Sequence, residues 1–325
     1  MQIHPTANTD WGNQMSITEF ILLGFRDLPE LEIFLFLLFL LIYIVTVSGN
    51  ILIIVLAITD RNLHTTMYFF LGNLSCLETC YTSTILPRVL ASLLTGDKTI
   101  SISDCAECYL LAVMSYDRFL AICKPLHYAV LMNGRFCLQL AAGSWINGFL
   151  AMTMVIVLML QLIFCGPNEI DHFYCESTEI LNLYCSDTNQ IDLVITFLAA
   201  IFTLPPFVLT VASYVCIVIT ILRIPSTTGR QKAFSTCSSH LIVVTIFYGT
   251  IMILYMLPKT NTLRALNKVF SVFYTVLTPM ANPFIYSLRN TEVKETIGKM
   301  VSKCLDFTSN QQSHGFFSFC IKRKW

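Results

Sequence analysis

The first residues with chemistry to offer are two adjacent charges in a largely apolar chain. They are Asp117-Arg118, within Met114-Ser115-Tyr116-Asp117-Arg118-Phe119-Leu120-Ala121-Ile122-Cys123. A carboxylate beside a guanidinium at a helix end holds it in a charge-assisted pair, and releasing that pair frees the arginine for a partner. Taken alone, the dipeptide is equally well an arginine snorkelling to a membrane surface. Cys105, Cys165, Cys175 and Cys185 lie in or beside polar segments, and four such cysteines on the oxidising side of a membrane suggest two disulfides. Cys76, Cys80, Cys123, Cys137, Cys216 and Cys237 sit in apolar runs, where the expected role is a small buried hydrophobe. His172-Phe173-Tyr174-Cys175-Glu176 has the residue types for a soft metal, but a disulfide would consume Cys175 and such spacings are weak signals. No metal site and no cofactor is expected. No Ser/His/Asp set, phosphate loop or HExxH-like spacing stands out, so an enzyme has no support.

The elements that position these residues are membrane spans. The chain has 325 residues, of which 55% are hydrophobic and 12% charged, with mean hydropathy +0.68. A soluble domain carries about 25% charged residues, so the class is a polytopic membrane protein. The formal net charge is zero, which gives no electrostatic case for nucleic acid. About 20 apolar residues cross a bilayer. Residues 1–32 form a polar leader with no cleavable signal evident, and the spans follow within 33–288. They run over Ile33–Ile58, Met67–Leu86, a third segment, Phe136–Phe164, Leu193–Leu222 with Pro205-Pro206 inside, Phe234–Leu257, and Val269–Leu288 with Pro279 and Pro283. Pro87-Arg88 and an amphipathic stretch to Leu94 follow the second span. The third segment is short: between Asp104 and Asp117 its apolar run is only Cys108–Tyr116. Residues 289–305 read as an amphipathic interfacial helix, with Val293, Ile297, Met300 and Val301 on one side. Residues 306–325 form a tail whose basic-aromatic end suits contact with anionic lipid.

Charge sets the orientation. From Phe136 to Leu222 there is no Lys or Arg, and the loop inside carries Glu169, Asp171, Glu176, Glu179, Asp187 and Asp192. The positive-inside rule makes that loop extracellular. The segments holding Arg61, Arg118 with Lys124 and Arg135, Arg223 with Arg230 and Lys232, and Arg289 with Lys294 are then cytoplasmic. These placements agree only if the N-terminus is outside and the short third segment crosses, giving seven spans. A transporter or channel is disfavoured, because no paired intramembrane charges and no internal repeat appear.

Seven spans with Asp-Arg at the inner end of the third resemble a rhodopsin-like G-protein-coupled receptor, and the finer motifs resemble the olfactory receptor family. Leu63-His64-Thr65-Thr66-Met67-Tyr68-Phe69-Phe70-Leu71 is similar to the family's first-loop signature, with Thr66 where Pro is usual. Met114–Cys123 with Lys124-Pro125-Leu126-His127-Tyr128 is similar to its third-helix signature, with Phe119 for the usual Tyr. Ser213-Tyr214, Lys232-Ala233-Phe234-Ser235-Thr236-Cys237-Ser238-Ser239-His240 and Pro279-Met280-Ala281-Asn282-Pro283-Phe284-Ile285-Tyr286-Ser287-Leu288-Arg289-Asn290 complete the set. The resemblance covers residues 16–303. It implies an all-α seven-transmembrane bundle with an extracellular N-terminus, a multi-pass protein of the plasma membrane. The implied function is sensing small volatile odorants within the bundle and activating a stimulatory heterotrimeric G protein to raise cAMP. The implied activation switch is Asp117, Arg118, Tyr214, Lys232, Asn282, Pro283 and Tyr286. The implied disulfides are Cys105 with Cys175 and Cys165 with Cys185. Phe202, Phe247, Tyr248, Thr250, Ile251 and Tyr274 are the candidate odorant contacts, although such residues more often serve plain packing. Odorant, G protein and membrane lipid are the expected partners.

One departure matters. Cys105 precedes Asp117 by 12 positions, about a dozen fewer than in the family, which removes roughly 18 Å of helix. Flanking residues on both sides still look like the family, so this reads as an internal deletion that shortens or shifts the third helix. One outcome draws Thr99–Glu107 into the membrane, burying Asp104 and Glu107 at roughly 2.5 to 3.5 kcal/mol for a central acid. The other lifts Asp117-Arg118 away from the cytoplasm. Either outcome removes the outer half of the third helix, and the alternative function is a poorly folded or non-signalling receptor derivative. The only N-x-S/T sequon, Asn73-Leu74-Ser75, lies inside an apolar run, out of reach of glycosylation.

Overall fold

The computed structural model describes residues 21–22, 32–60, 63–94, 104–160, 169–170, 189–256 and 273–289, with Val293, Gly298 and Ser302 beyond them. The helices in chain order are α1 Glu32–Thr59, α2 Thr66–Leu94, α3 Asp104–Cys123, α4 Pro125–Leu131, α5 Gly134–Leu160, α6 Asn189–Leu222, α7 Thr227–Met256 and α8 Thr278–Arg289. A π-helical turn, Phe273–Leu277, leads into α8. Apart from the seven-residue α4, these are the seven helices of a transmembrane bundle. One β pairing occurs among the described residues: β1, Ile21–Leu22, runs parallel to β2, Glu169–Ile170, tying the leader to the second extracellular loop.

Local signals explain the helix starts. Pro125 opens α4 at a position where its fixed φ and missing N–H are well suited. The Asn133 side chain accepts from Phe136 N at 2.9 Å and caps α5. Ser226 Oγ accepts from Gly229 N at 3.2 Å and caps α7.

Among the described residues, three helices are long and apolar enough to cross a membrane on composition alone: Ile33–Thr59, Gly134–Leu158 and Leu193–Leu222. A fourth is the bent pair Thr227–Ser235 and Cys237–Met252, which meet at 45°. On α6 the outward residues Leu193, Phe197, Ile201, Leu204, Val208, Val211 and Val215 recur at helical spacing and form a lipid-facing stripe.

Helix α3 is enclosed instead. Six consecutive residues, Leu110 to Ser115, are all buried, as befits a helix surrounded by neighbours. It packs between α2, α5 and α6. At its outer end Gly148 of α5 admits Ala106 so closely that an added Cβ would lie 2.5 Å from the Ala106 Cβ. Trp145 Nε1 donates to Asn73 Oδ1 at 3.3 Å, linking α5 to α2 and engaging the sequon asparagine inside the bundle. Gly49 of α1 gives Pro283 similar access, at 2.9 Å from an added Cβ.

The structure corrects several sequence expectations. The third helix has 20 residues, not the short run Cys108–Tyr116, because Glu107 and Asp117 lie within it and are buried. Within the described residues it is shorter than α1, α2, α5, α6 and α7, which have 27 to 34 residues. Helix α2 continues through Pro87 to Leu94 without a break. The fourth span starts two residues earlier than expected and reaches Leu160, and the sixth begins at Thr227. Cys76, Cys80 and Cys216 are exposed on the outer faces of their helices, whereas Cys137 and Cys237 are buried as expected.

Candidate functional site

The chemistry gathers at the cytoplasmic ends of the helices. Arg118 donates to Asp117 Oδ2 from Nη2 at 2.7 Å and from Nε at 3.2 Å. The Asp117 side chain is 1% exposed and that of Arg118 12%. The other carboxylate oxygen, Oδ1, accepts from Thr66 Oγ1 at 2.7 Å and from Tyr128 OH at 2.9 Å. Thr66 and Tyr128 also touch each other through their hydroxyls. Two hydroxyl protons thus serve three contacts, with both directed at the carboxylate or relayed through one another. Burial pushes the Tyr128 phenol above its usual range, and the Asp117 carboxylate adds to that, so Tyr128 stays a donor at neutral pH. The guanidinium is therefore closed onto a carboxylate that is itself fixed from α2 and α4. Of the two acids that the first outcome for the short helix buries, Glu107 is buried; residues 99–103 and the Asp104 side chain lie outside the described residues.

The other residues expected in the switch lie on α6, α7 and α8. Tyr214 of α6 is buried and its hydroxyl hydrogen-bonds His240 Nδ1 of α7, with the two rings stacked at 5.9 Å. His240 stands in the sixth-helix motif, but its pairing with Tyr214 was not legible there. Asn282 Nδ2 donates to Glu78 Oε1. Tyr286 is fully buried, and it lines a small apolar hollow with Ile53, Leu56, Leu63, Tyr68, Leu71 and Val293. Lys232 lies on α7, but its side chain is outside the described residues.

Sequence reading missed Glu78. It is fully buried on α2, within electrostatic reach of Glu107, and Asn50 lies beside it. Asn50 Nδ2 donates to Pro279 O at 3.3 Å, so α1, α2 and α8 meet around one carboxyl group. A charge at such depth is costly unless neutralised by a proton or a counter-charge. An acidic residue within a span was the available signal, since intramembrane acids are rare.

The expected odorant contacts separate. Phe247 and Tyr248 are buried in the packed core with Ile251 against them. Tyr248 stacks edge-on with Phe207 at 5.0 Å and with Phe247 at 5.2 Å. Phe202 is nearly buried, and Thr250 Oγ1 donates back to Ile246 O at 2.7 Å. Tyr274 lies on the π turn, and its side chain is outside the described residues. Cys165, Cys175 and Cys185 and the Cys105 side chain are also outside them, so the two expected disulfides are too.

A family profile described as "Olfactory receptor" matches residues 39–304. Curated relatives agree. Human "Olfactory receptor 10A7" is 47% identical over 303 residues, 90% of this chain and 96% of the relative. Human "Olfactory receptor 10C1" is 48% identical over 303 residues, 90% and 97% of the two chains. Mouse "Olfactory receptor 5P68" is 45% identical over 304 residues, 90% and 97%.

Proposed function

The chain belongs to the olfactory receptor family, and from that premise we propose that it is an odorant-sensing G-protein-coupled receptor of the plasma membrane. It is a receptor, not an enzyme. In this reading small volatile molecules bind within the helix bundle, and the receptor then activates a stimulatory G protein and raises cAMP. The observation that carries the reading is the closed Asp117–Arg118 pair, buried at the cytoplasmic end and set beside Tyr214 and His240. A cation held by a neighbouring carboxylate is available to a partner only after the helices around it move, which is the design of a two-state element. Tyr214 supports the released arginine, and the Asn282-Pro283-Tyr286 segment supplies the kink and polar groups by which α8 follows.

A second reading is favoured by the length of α3. Its described part begins at Asp104, about 20 Å of helix from Asp117, and in this reading the dozen residues fewer between Cys105 and Asp117 than in the family thin the wall at the outer part of the bundle. That supports a receptor whose folding or signalling is impaired. Cysteine pairing follows the same logic. Cys105 directly precedes the buried Ala106, and a disulfide needs Cα atoms about 4.4 to 6.8 Å apart, so in this reading its pairing with Cys175 is at risk.

Expression in cells with measurement of surface level and odorant-evoked cAMP separates the two readings. A response at normal surface level supports the first and sinks the impairment. Normal surface level with no response to a broad odorant panel, or retention inside the cell, supports the second.

A further inference from the structure

We propose that Thr66 is a positioning residue of the switch: its hydroxyl fastens Asp117 to the start of α2 and so holds the Asp117–Arg118 pair closed. Any effect on signalling rests on the coupling role given to Arg118 above, but the fastening itself does not.

Three observations carry it. Asp117 takes its hydrogen bonds from Thr66, Tyr128 and Arg118. Arg118 is on the same helix, and Tyr128 is on α4, which follows α3 after the single residue Lys124. Both therefore travel with Asp117. Thr66 alone of the three comes from a separate long helix, 51 residues away in sequence, so any sliding or tilting of α3 against α2 must break its bond. Second, the carboxylate is 1% exposed, so water cannot readily replace a donor that leaves, and the loss is felt in full. Third, Thr66 is the first residue of α2. Proline is well suited there, having the right φ and no N–H to leave unpaired, and proline is what the resembling first-loop signature carries. In this chain a residue with no special merit as a helix opener supplies instead a hydroxyl aimed at the switch.

The test compares Thr66→Val, which keeps the shape and removes the hydroxyl, Thr66→Pro, which keeps the helix start, and Thr66→Ser, which keeps the hydroxyl. The readout is the alkylation rate of Cys237 by a membrane-permeant maleimide in intact membranes, quantified by peptide mass spectrometry. Cys237 is buried on α7 within electrostatic reach of Arg118, so opening at this end uncovers it. Cys108, buried further out on α3, is the internal reference for general loosening. Valine and proline are expected to raise the Cys237 rate about tenfold, the scale of one hydrogen bond to a charged group. Cys108 should not change, and serine should restore the original rate. An unchanged Cys237 rate, a parallel rise at Cys108, or failure of serine to restore would each overturn the proposal. Ligand-independent coupling, normalised to surface level, is read on the same cells beside Arg118→Ala. If Cys237 responds to Thr66 as stated while coupling is equal in all variants, the fastening stands and the coupling reading falls.

Discussion

The two ends of α3 differ in what their polar residues have around them. At the inner end Asp117 has three donors, from α2, α4 and its own neighbour, and every contact has good geometry. At the outer end Glu107 is buried too, and it lies within electrostatic reach of a second buried acid, Glu78. The same helix thus carries an acid held against a guanidinium at one end and an acid near a like charge at the other. The contrast teaches that the inner end keeps the donors that the proposed switch needs, whereas the outer end brings two acids together without a guanidinium between them in the described contacts.

Experiments on either end can break this contrast. The largest effect is expected from Arg118→Ala, which should reduce odorant-evoked cAMP to background with surface level unchanged; retained signalling would remove the inner end from the mechanism. Next, inserting about a dozen residues of family-like sequence after Cys105, some 18 Å of helix, should raise surface expression several-fold by flow cytometry. No change would mean that the outer end is not the weak point. A smaller effect is expected from Gly148→Val. Its side chain would press on Ala106, where even an added Cβ lies 3.0 Å from the Ala106 Cα, and the melting temperature in detergent should fall by the equivalent of about 1–3 kcal/mol. An unaltered melting temperature would show that α3 and α5 can separate freely there. The smallest is Tyr214→Phe. Removing the hydroxyl bound to His240 should weaken coupling or stability by about 1 kcal/mol, measured as a modest rightward shift of the odorant dose response.

Much of the bundle was legible because α1, α5 and α6 are continuous apolar runs whose lipid-facing sides need no polar partner. Helices α2 and α3 were harder to bound, since each hides acids that only neighbouring helices make tolerable. Glu78 passed unnoticed within an apolar run for that reason, and Glu107 looked like the edge of a segment when it lies inside one. Asp117-Arg118 was legible as a pair because the two are adjacent in sequence. Its fixing by Thr66 and Tyr128 was not, since those partners lie 51 and 11 residues away and meet Asp117 only when α2 and α4 are in place. Pro125 offered a local hint of α4, being a suitable first helical residue.

The shortness of α3 also makes bilayer thickness a variable for this chain. Twenty residues amount to about 30 Å of helix, and part of that length lies beyond Asp117 at the cytoplasmic face. The membrane of the endoplasmic reticulum is about 27 Å thick in its hydrocarbon and the plasma membrane about 32–33 Å. A thinner membrane brings the acidic outer end of α3 closer to headgroups and water, so bilayer thickness acts on this helix more than on its longer neighbours.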